Sequence, residues 1–363
     1  MRIFNVVGAR PNFMKVAPVH AALVAAGHDA KLIHTGQHYD EAMSAIFFQQ
    51  LGMPTPDVNL EVGSASHAVQ TARIMEAFEP LVLRERPELV LVAGDVNSTI
   101  ACALVAKKLH VAVAHLEAGL RSFDMRMPEE INRVLTDRIS DLLLTPSPDA
   151  DDNLRHEGAD EHAIARVGNA MIDSLRAHVD AARALATPQQ LGLVPRGYAL
   201  VTLHRPSNVD DEPQLRAIML MLAELSHELP VLFPMHPRTR ARLATLGLAS
   251  RLAQAGALRV VEPLGYLEFL GLQADARLIL TDSGGIQEES TALGVPCLTA
   301  RENTERPITI SEGTNTLVGT DTTRILAVAR DVLANGGKQG RIPALWDGQT
   351  AKRVVAAVAR RFG

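Results

Sequence analysis

Leu278-Ile279-Leu280-Thr281-Asp282-Ser283-Gly284-Gly285-Ile286-Gln287-Glu288-Glu289 reads as a strand, a tight turn and the start of a helix. The apolar run stops at Thr281-Asp282-Ser283, two glycines follow, and acidic residues stand early in the helical pattern, where the helix dipole favours them. Free N–H groups at a helix N-terminus bind anions, and glycine lets an anion approach the backbone closely. Ser283, Gly284 and Gly285 are therefore candidate phosphate-binding residues. Glu289, about one helical turn further on, is placed to reach a group attached to that phosphate, such as a ribose diol. The same letters also fit an ordinary strand-to-helix turn, so the rest of the chain has to decide.

Strand and helix patterns alternate along the whole chain, the signature of parallel βαβ units and an α/β fold. Residues 3–7 precede Gly8-Ala9-Arg10-Pro11, and residues 30–34 precede Thr35-Gly36-Gln37-His38-Tyr39-Asp40. Residues 89–93 run into Gly94-Asp95, and residues 111–116 into Glu117-Ala118-Gly119-Leu120-Arg121. A second series places His204-Arg205-Pro206 after residues 198–203 and the opening motif after residues 278–280. Each polar motif falls just beyond the C-terminal end of a strand, the edge where open α/β sheets bind ligands. At 363 residues the chain is long enough for two domains. The expected division is residues 1–170 plus 348–363 and residues 171–347, with Pro188 and Pro195 flanking a linker. Two Rossmann-like domains facing across a cleft would clamp a ligand by hinge closure.

A hydrophobic fraction of 47% with 21% charged residues is that of a soluble globular protein. The net charge of -5 argues against a nucleic-acid partner. No apolar run approaches bilayer-spanning length, so no membrane insertion is expected. No signal peptide is expected either, because residues 2–7 already read as a first strand. The two cysteines, Cys102 and Cys297, sit in apolar surroundings and read as core residues of a cytoplasmic protein. The 13 histidines are scattered and no HExxH occurs, so no metal site is expected. The first βα turn lacks GxGxxG, which speaks against a nicotinamide cofactor bound by that fingerprint.

Asp95 and Glu117 end neighbouring βα units, and Glu129 lies in the first turn of a helix opened by Pro128. Three acids on one edge suit proton transfer, because grouped carboxylates raise one another's pKa and so divide into acid and base. His204 could meet a leaving diphosphate, and Arg10, Lys15 and Arg306 are the basic residues nearest the motif edges.

Taken in order, Gly8-Ala9-Arg10-Pro11, Gly36-Gln37-His38, Gly94-Asp95, residues 115–121, Pro128-Glu129-Glu130-Ile131-Asn132-Arg133, His204-Arg205-Pro206, residues 282–289 and Thr304-Glu305-Arg306-Pro307 resemble the non-hydrolysing UDP-N-acetylglucosamine 2-epimerases. The resemblance implies a glycosyltransferase-B-like pair of domains, with the last helix, about residues 348–362, crossing back onto the first. It implies cofactor-free interconversion of UDP-N-acetylglucosamine and UDP-N-acetylmannosamine, and a homodimer is expected. It gives Asp95, Glu117 and Glu129 acid/base roles and sets His204 beside the diphosphate. Ser283, Gly284 and Gly285 would hold phosphate and Glu289 the ribose, Phe269 would lie near the uracil, and Arg10, Lys15 and Arg306 would contact the nucleotide sugar. A second nucleotide site, at which some regulated bacterial members bind UDP-N-acetylglucosamine as an activator, would use Gln37, His38 and Arg73. Asp40 stands where those members carry glutamine, Leu264 stands where some have a glutamine in the uracil loop, and residues 121–128 are shorter than in some. Relatives acting on diacetamido-uronic acid nucleotides share most of these motifs. A UDP-sugar glycosyltransferase, a hydrolysing epimerase and a non-catalytic nucleotide-sugar binder are the rival readings.

Overall fold

Val, Leu and Ile runs that no water reaches make the central strands of both sheets; β4 (Leu89–Ala93) is buried at every position, as parallel strands covered by helices on both faces must be. The structure is a computed structural model that describes residues 1–37, 52, 54–235, 237–246 and 257–363, without the side chains of residues 10, 11, 237 and 238. The chain divides into one compact unit of Met1–Ala177 with Ala344–Gly363 and a second of His178–Pro343.

The first unit holds a seven-stranded parallel sheet in the order β3-β2-β1-β4-β5-β6-β7. Its strands are β1 (Arg2–Val7), β2 (Asp29–His34), β3 (Val58–Asn59), β4, β5 (Ala112–Leu116), β6 (Leu142–Thr145) and β7 (Ile164–Arg166). The second unit holds six parallel strands in the order β10-β9-β8-β11-β12-β13. These are β8 (Ala199–Thr202), β9 (Val231–Pro234), β10 (Leu258–Val261), β11 (Leu278–Thr281), β12 (Cys297–Thr299) and β13 (Asn315–Leu317). In each sheet the order reverses once, between β1 and β4 and between β8 and β11, and a ligand crevice opens at such a switch point. The edge strands β3 and β13 are too short to show a periodic pattern in sequence.

Pro11 sits in the first turn of the helix Arg10–Ala25, which therefore begins before its apolar pattern does. Where Pro188 and Pro195 suggest a linker, both lie inside the second unit, and the division falls within the helix Ala170–Ala184. The chain returns to the first unit at Ala344, where Trp346 is buried and donates its indole N–H to the carbonyl of Pro146 at 3.0 Å. Asp173 caps the final helix, Thr350–Phe362, by accepting from the N–H groups of Thr350 and Ala351 at 3.1 and 2.8 Å. That helix packs on Arg10–Ala25. Cys102 and Cys297 are buried free thiols.

Candidate active site

In the first unit, the turn after β4 passes through Gly94 with φ +66, a left-handed conformation natural to glycine. A Cβ there would lie 3.2 Å from Lys15 Nζ and 3.3 Å from both Asn12 Nδ2 and Glu117 Oε2, so the glycine leaves space for these side chains to meet. Lys15 and Glu117 form an ion pair almost sealed from solvent. Glu117 itself has φ +74, a strained backbone for a residue with a side chain. The strain is held by its own N–H and that of Ala118, which both donate to the carbonyl of Leu144 at 3.0 and 3.1 Å.

Asp95 pairs with the guanidinium of Arg133, and its backbone carbonyl accepts from Asn132 Nδ2 at 2.9 Å. Arg133 also pairs with the buried Glu130, whose carboxylate accepts from the N–H groups of Ser122 and Phe123 and so shapes that loop. Of the two adjacent glutamates, Glu130 is thus committed to the fold. Glu129 is partly exposed, and its side chain makes no hydrogen bond or ion pair among the described residues. Asp95 and Glu117 thus each face a cation of their own, a pairing that their positions after β4 and β5 do not reveal.

In the second unit, Asp282 closes β11 and is wholly buried. It accepts from the N–H groups of His204 and Arg205 at 3.0 and 2.9 Å and from Asn208 Nδ2 at 2.9 Å, and lies 3.1 Å from His204 Nδ1. Burial opposes its charge, but these donors outweigh it and keep the carboxyl below the usual carboxylate range. Nδ1 of His204 is thereby engaged, and the side chain is 47% exposed.

Ser283 caps the helix Gly284–Leu293 without using its hydroxyl. A Cβ at Gly284 would come within 2.8 Å of Arg306 Cζ and Glu305 Oε1, so the space that glycine opens is occupied by the Arg306 guanidinium. Arg306 lies 3.0 Å from Glu288 Oε1 and pairs also with Glu305, which takes Arg301 at 2.7 Å. All four side chains are buried. Arg306, expected to bind ligand, therefore sits within a buried charge cluster directly over the turn at Gly284. Glu289 is buried, accepts from Gln273 Nε2 at 2.7 Å and Tyr266 Oη at 3.3 Å, and is pushed up to about 7 by burial. Phe269, on the helix Tyr266–Asp275 with Tyr266 and Gln273, packs on the apolar cluster around Leu272 and Ile286.

Gln37 is buried, and its side-chain carbonyl accepts from Ser98 N and Oγ at 3.0 and 2.7 Å, capping the helix Asn97–Lys108. Arg73 is exposed on the helix His67–Glu85. His38, Asp40 and the side chain of Arg10 lie outside the described residues. Asp282, Glu305, Arg301 and Asn12 were not singled out as site residues from sequence; the first two lie inside the motifs, but their letters do not reveal whom they hold.

Two doubly wound parallel sheets in succession, the second with a strand, glycine turn and helix beside its switch point, define a protein of the glycosyltransferase-B class of fold. The sequence profile of UDP-N-acetylglucosamine 2-epimerase matches residues 21–359, and the chain belongs to that family. It is 42% identical over 360 residues to the UDP-N-acetylglucosamine 2-epimerase of Methanocaldococcus jannaschii, covering 98% of both chains. The crystal structure of that archaeal enzyme in complex with UDP-GlcNAc and UDP superposes with a TM-score of 0.92, covering 99% of this chain and 100% of that one at 41% identity. The UDP-2,3-diacetamido-2,3-dideoxy-D-glucuronate 2-epimerase of Pseudomonas aeruginosa is 45% identical over 338 residues, covering 92% of both chains.

Proposed function

We propose that this protein interconverts UDP-N-acetylglucosamine and UDP-N-acetylmannosamine by eliminating and re-adding UDP, without a cofactor. The observation that carries the reading is the pair of cation-matched carboxylates, Asp95 with Arg133 and Glu117 with Lys15, beside the first sheet's switch point in a member of this family. The C2 proton of an N-acetylhexosamine has no adjacent carbonyl to acidify it. As the C1–O bond to UDP breaks, positive charge grows at C1 and the C2 proton becomes acidic. A carboxylate base takes that proton, the C2–H electrons form the C1=C2 bond of a glycal, and the diphosphate departs with the C1–O pair. Returning the proton to the opposite face needs a second acid, so the reading uses Asp95, Glu117 and Glu129 together.

In this reading His204 offers Nε2 to the departing diphosphate, with its ring oriented by Asp282. Ser283, Gly284 and Gly285 present backbone N–H groups to phosphate, a preorganised site for the charge that develops there. Glu289 takes the ribose hydroxyls, Phe269 flanks the uracil, and Arg10, Lys15 and Arg306 contact the nucleotide sugar. The reading includes a homodimer and, given two buried free thiols, a cytoplasmic location. A second reading, a UDP-diacetamido-uronic acid as substrate, is favoured by the 45% identity to the Pseudomonas enzyme.

Incubation with each nucleotide sugar in D2O tests both. Epimerisation of UDP-N-acetylglucosamine with deuterium at C2, read by NMR, is the expected result. Release of free N-acetylmannosamine would reject the reading, and exclusive turnover of the uronate would replace it with the second. In the same assay Glu117→Gln should lose about 10²–10⁴-fold in turnover while binding UDP as the wild type does. Full activity in that variant would remove Glu117 from the mechanism.

A further inference from the structure

His115 stands two residues before Glu117 with its ring wholly buried. Its Nδ1 is 2.6 Å from Asp137 Oδ1, and its Nε2 is 2.8 Å from the carbonyl oxygen of Gly94. A carbonyl oxygen only accepts, so Nε2 is the donor to Gly94, while Nδ1 faces the Asp137 carboxyl group. The second oxygen of Asp137 accepts from the N–H of Gly119 at 3.0 Å and pairs with Arg121 at 2.7 Å. One buried set thus joins Gly94, immediately before Asp95, to Gly119, two residues beyond Glu117.

Both glycines are left-handed, with φ +66 and +83, and neither has spare room: a Cβ on Gly119 would lie 2.8 Å from the backbone carbon of Ala150. The helix Pro128–Ile139 that carries Asp137 also holds Asp95 through Asn132 and Arg133. A buried charged set costs desolvation that an apolar filling would avoid, so stability alone gives little reason for it.

We infer that His115 is a positioning residue that, clamped by Asp137, sets the separation of Asp95 and Glu117 through the carbonyl of Gly94. The inference rests on the acid/base roles proposed for those two carboxylates. An error of about 1 Å in such groups costs about a hundredfold in rate while leaving nucleotide binding alone.

Two isosteric variants separate positioning from simple packing. The amide nitrogen of His115→Gln falls near the place of Nε2 and can still donate to Gly94; that of His115→Asn falls near Nδ1 and can donate only to Asp137. In D2O exchange assays with UDP-N-acetylglucosamine, His115→Asn should lose about a hundredfold in kcat with KM and UDP affinity unchanged, and His115→Gln should recover most of the loss. Equal kcat in the two variants, or undiminished kcat in His115→Asn, overturns the inference alone. Absence of exchange in the wild type rejects the functional reading and this inference with it. Should either variant fail to fold, ring nitrogen NMR of the wild type decides: a proton on His115 Nε2 held in a hydrogen bond supports the clamp, and an Nε2 without a proton overturns it.

Discussion

A glutamate shut away from water keeps its proton to a higher pH than one at the surface, and Glu289, with Tyr266 and Gln273 as its polar neighbours, is pushed from an ordinary 4.5 to about 7. Between those values the folded chain binds more protons at this site than the unfolded chain, so its contribution to stability falls as pH rises through that interval and is flat above it. The difference in stability between Glu289→Gln and the ligand-free wild type should therefore grow from about pH 4.5 to about pH 7, reaching about 3 kcal/mol, and then level off. Denaturant unfolding across this range measures it, and a difference that shrinks with rising pH would contradict the burial argument. Ribose hydroxyls donating to this carboxyl would favour its ionised form. Binding of UDP near pH 7 should then release a fraction of a proton, visible by calorimetry in buffers of different ionisation enthalpy and absent in Glu289→Gln. Glu117 shows the other side of residue-scale tuning, with its charge matched by Lys15 and its backbone bent into the left-handed region to present it.

The helix Pro128–Ile139 is inverted relative to an ordinary surface helix. Glu129, Asn132, Arg133, Thr136 and Asp137 follow the i, i+3, i+4, i+7, i+8 spacing of one face, and the last four reach Asp95, the helix backbone and His115. The opposite side carries Ile131 and Leu135, which are 40% and 50% exposed, and the preceding loop adds Phe123 and Met125 at 77% and 59%. Apolar periodicity alone would turn Ile131 and Leu135 inward; here the charged pairs behind the acids claim that side instead. An apolar face of this kind fits a subunit contact. The double variant Ile131→Asp, Leu135→Asp should convert the proposed homodimer to a monomer in light scattering, with the fold retained by circular dichroism. A monomeric wild type would reject the dimer, and a variant that stays dimeric would move the contact elsewhere.

At the scale of the whole molecule, activation by a second nucleotide should be weak or absent. Gln37 would have to release Ser98, leaving the helix Asn97–Lys108 without that cap. If the loop at Asp40, outside the described residues, points as the resemblance implies, it would add a like charge to a diphosphate, and two unit charges at about 4 Å cost roughly 1 kcal/mol in water and roughly 4 at an effective dielectric of 20. Purified UDP-N-acetylmannosamine should therefore convert linearly from the start; a lag abolished by a trace of UDP-N-acetylglucosamine would show a working second site. The α/β architecture, the motif edges at the strand ends and the strand, glycine turn and helix at residues 278–293 were all legible in the residues, because periodicity and turn chemistry are local properties of a chain. The edge strands β3 and β13 were not, being two and three residues long. Only the tertiary structure decided which cation meets which acid: Lys15 reaches Glu117 across 102 residues, and Arg133 reaches Asp95 across 38. It likewise decided that Arg306 fills the space over Gly284, that Glu130 and not Glu129 is spent on the fold, and that Glu289 titrates near neutrality. Charge pairing and loss of solvent depend on neighbours brought from far along the chain, and no local pattern of residues specifies them.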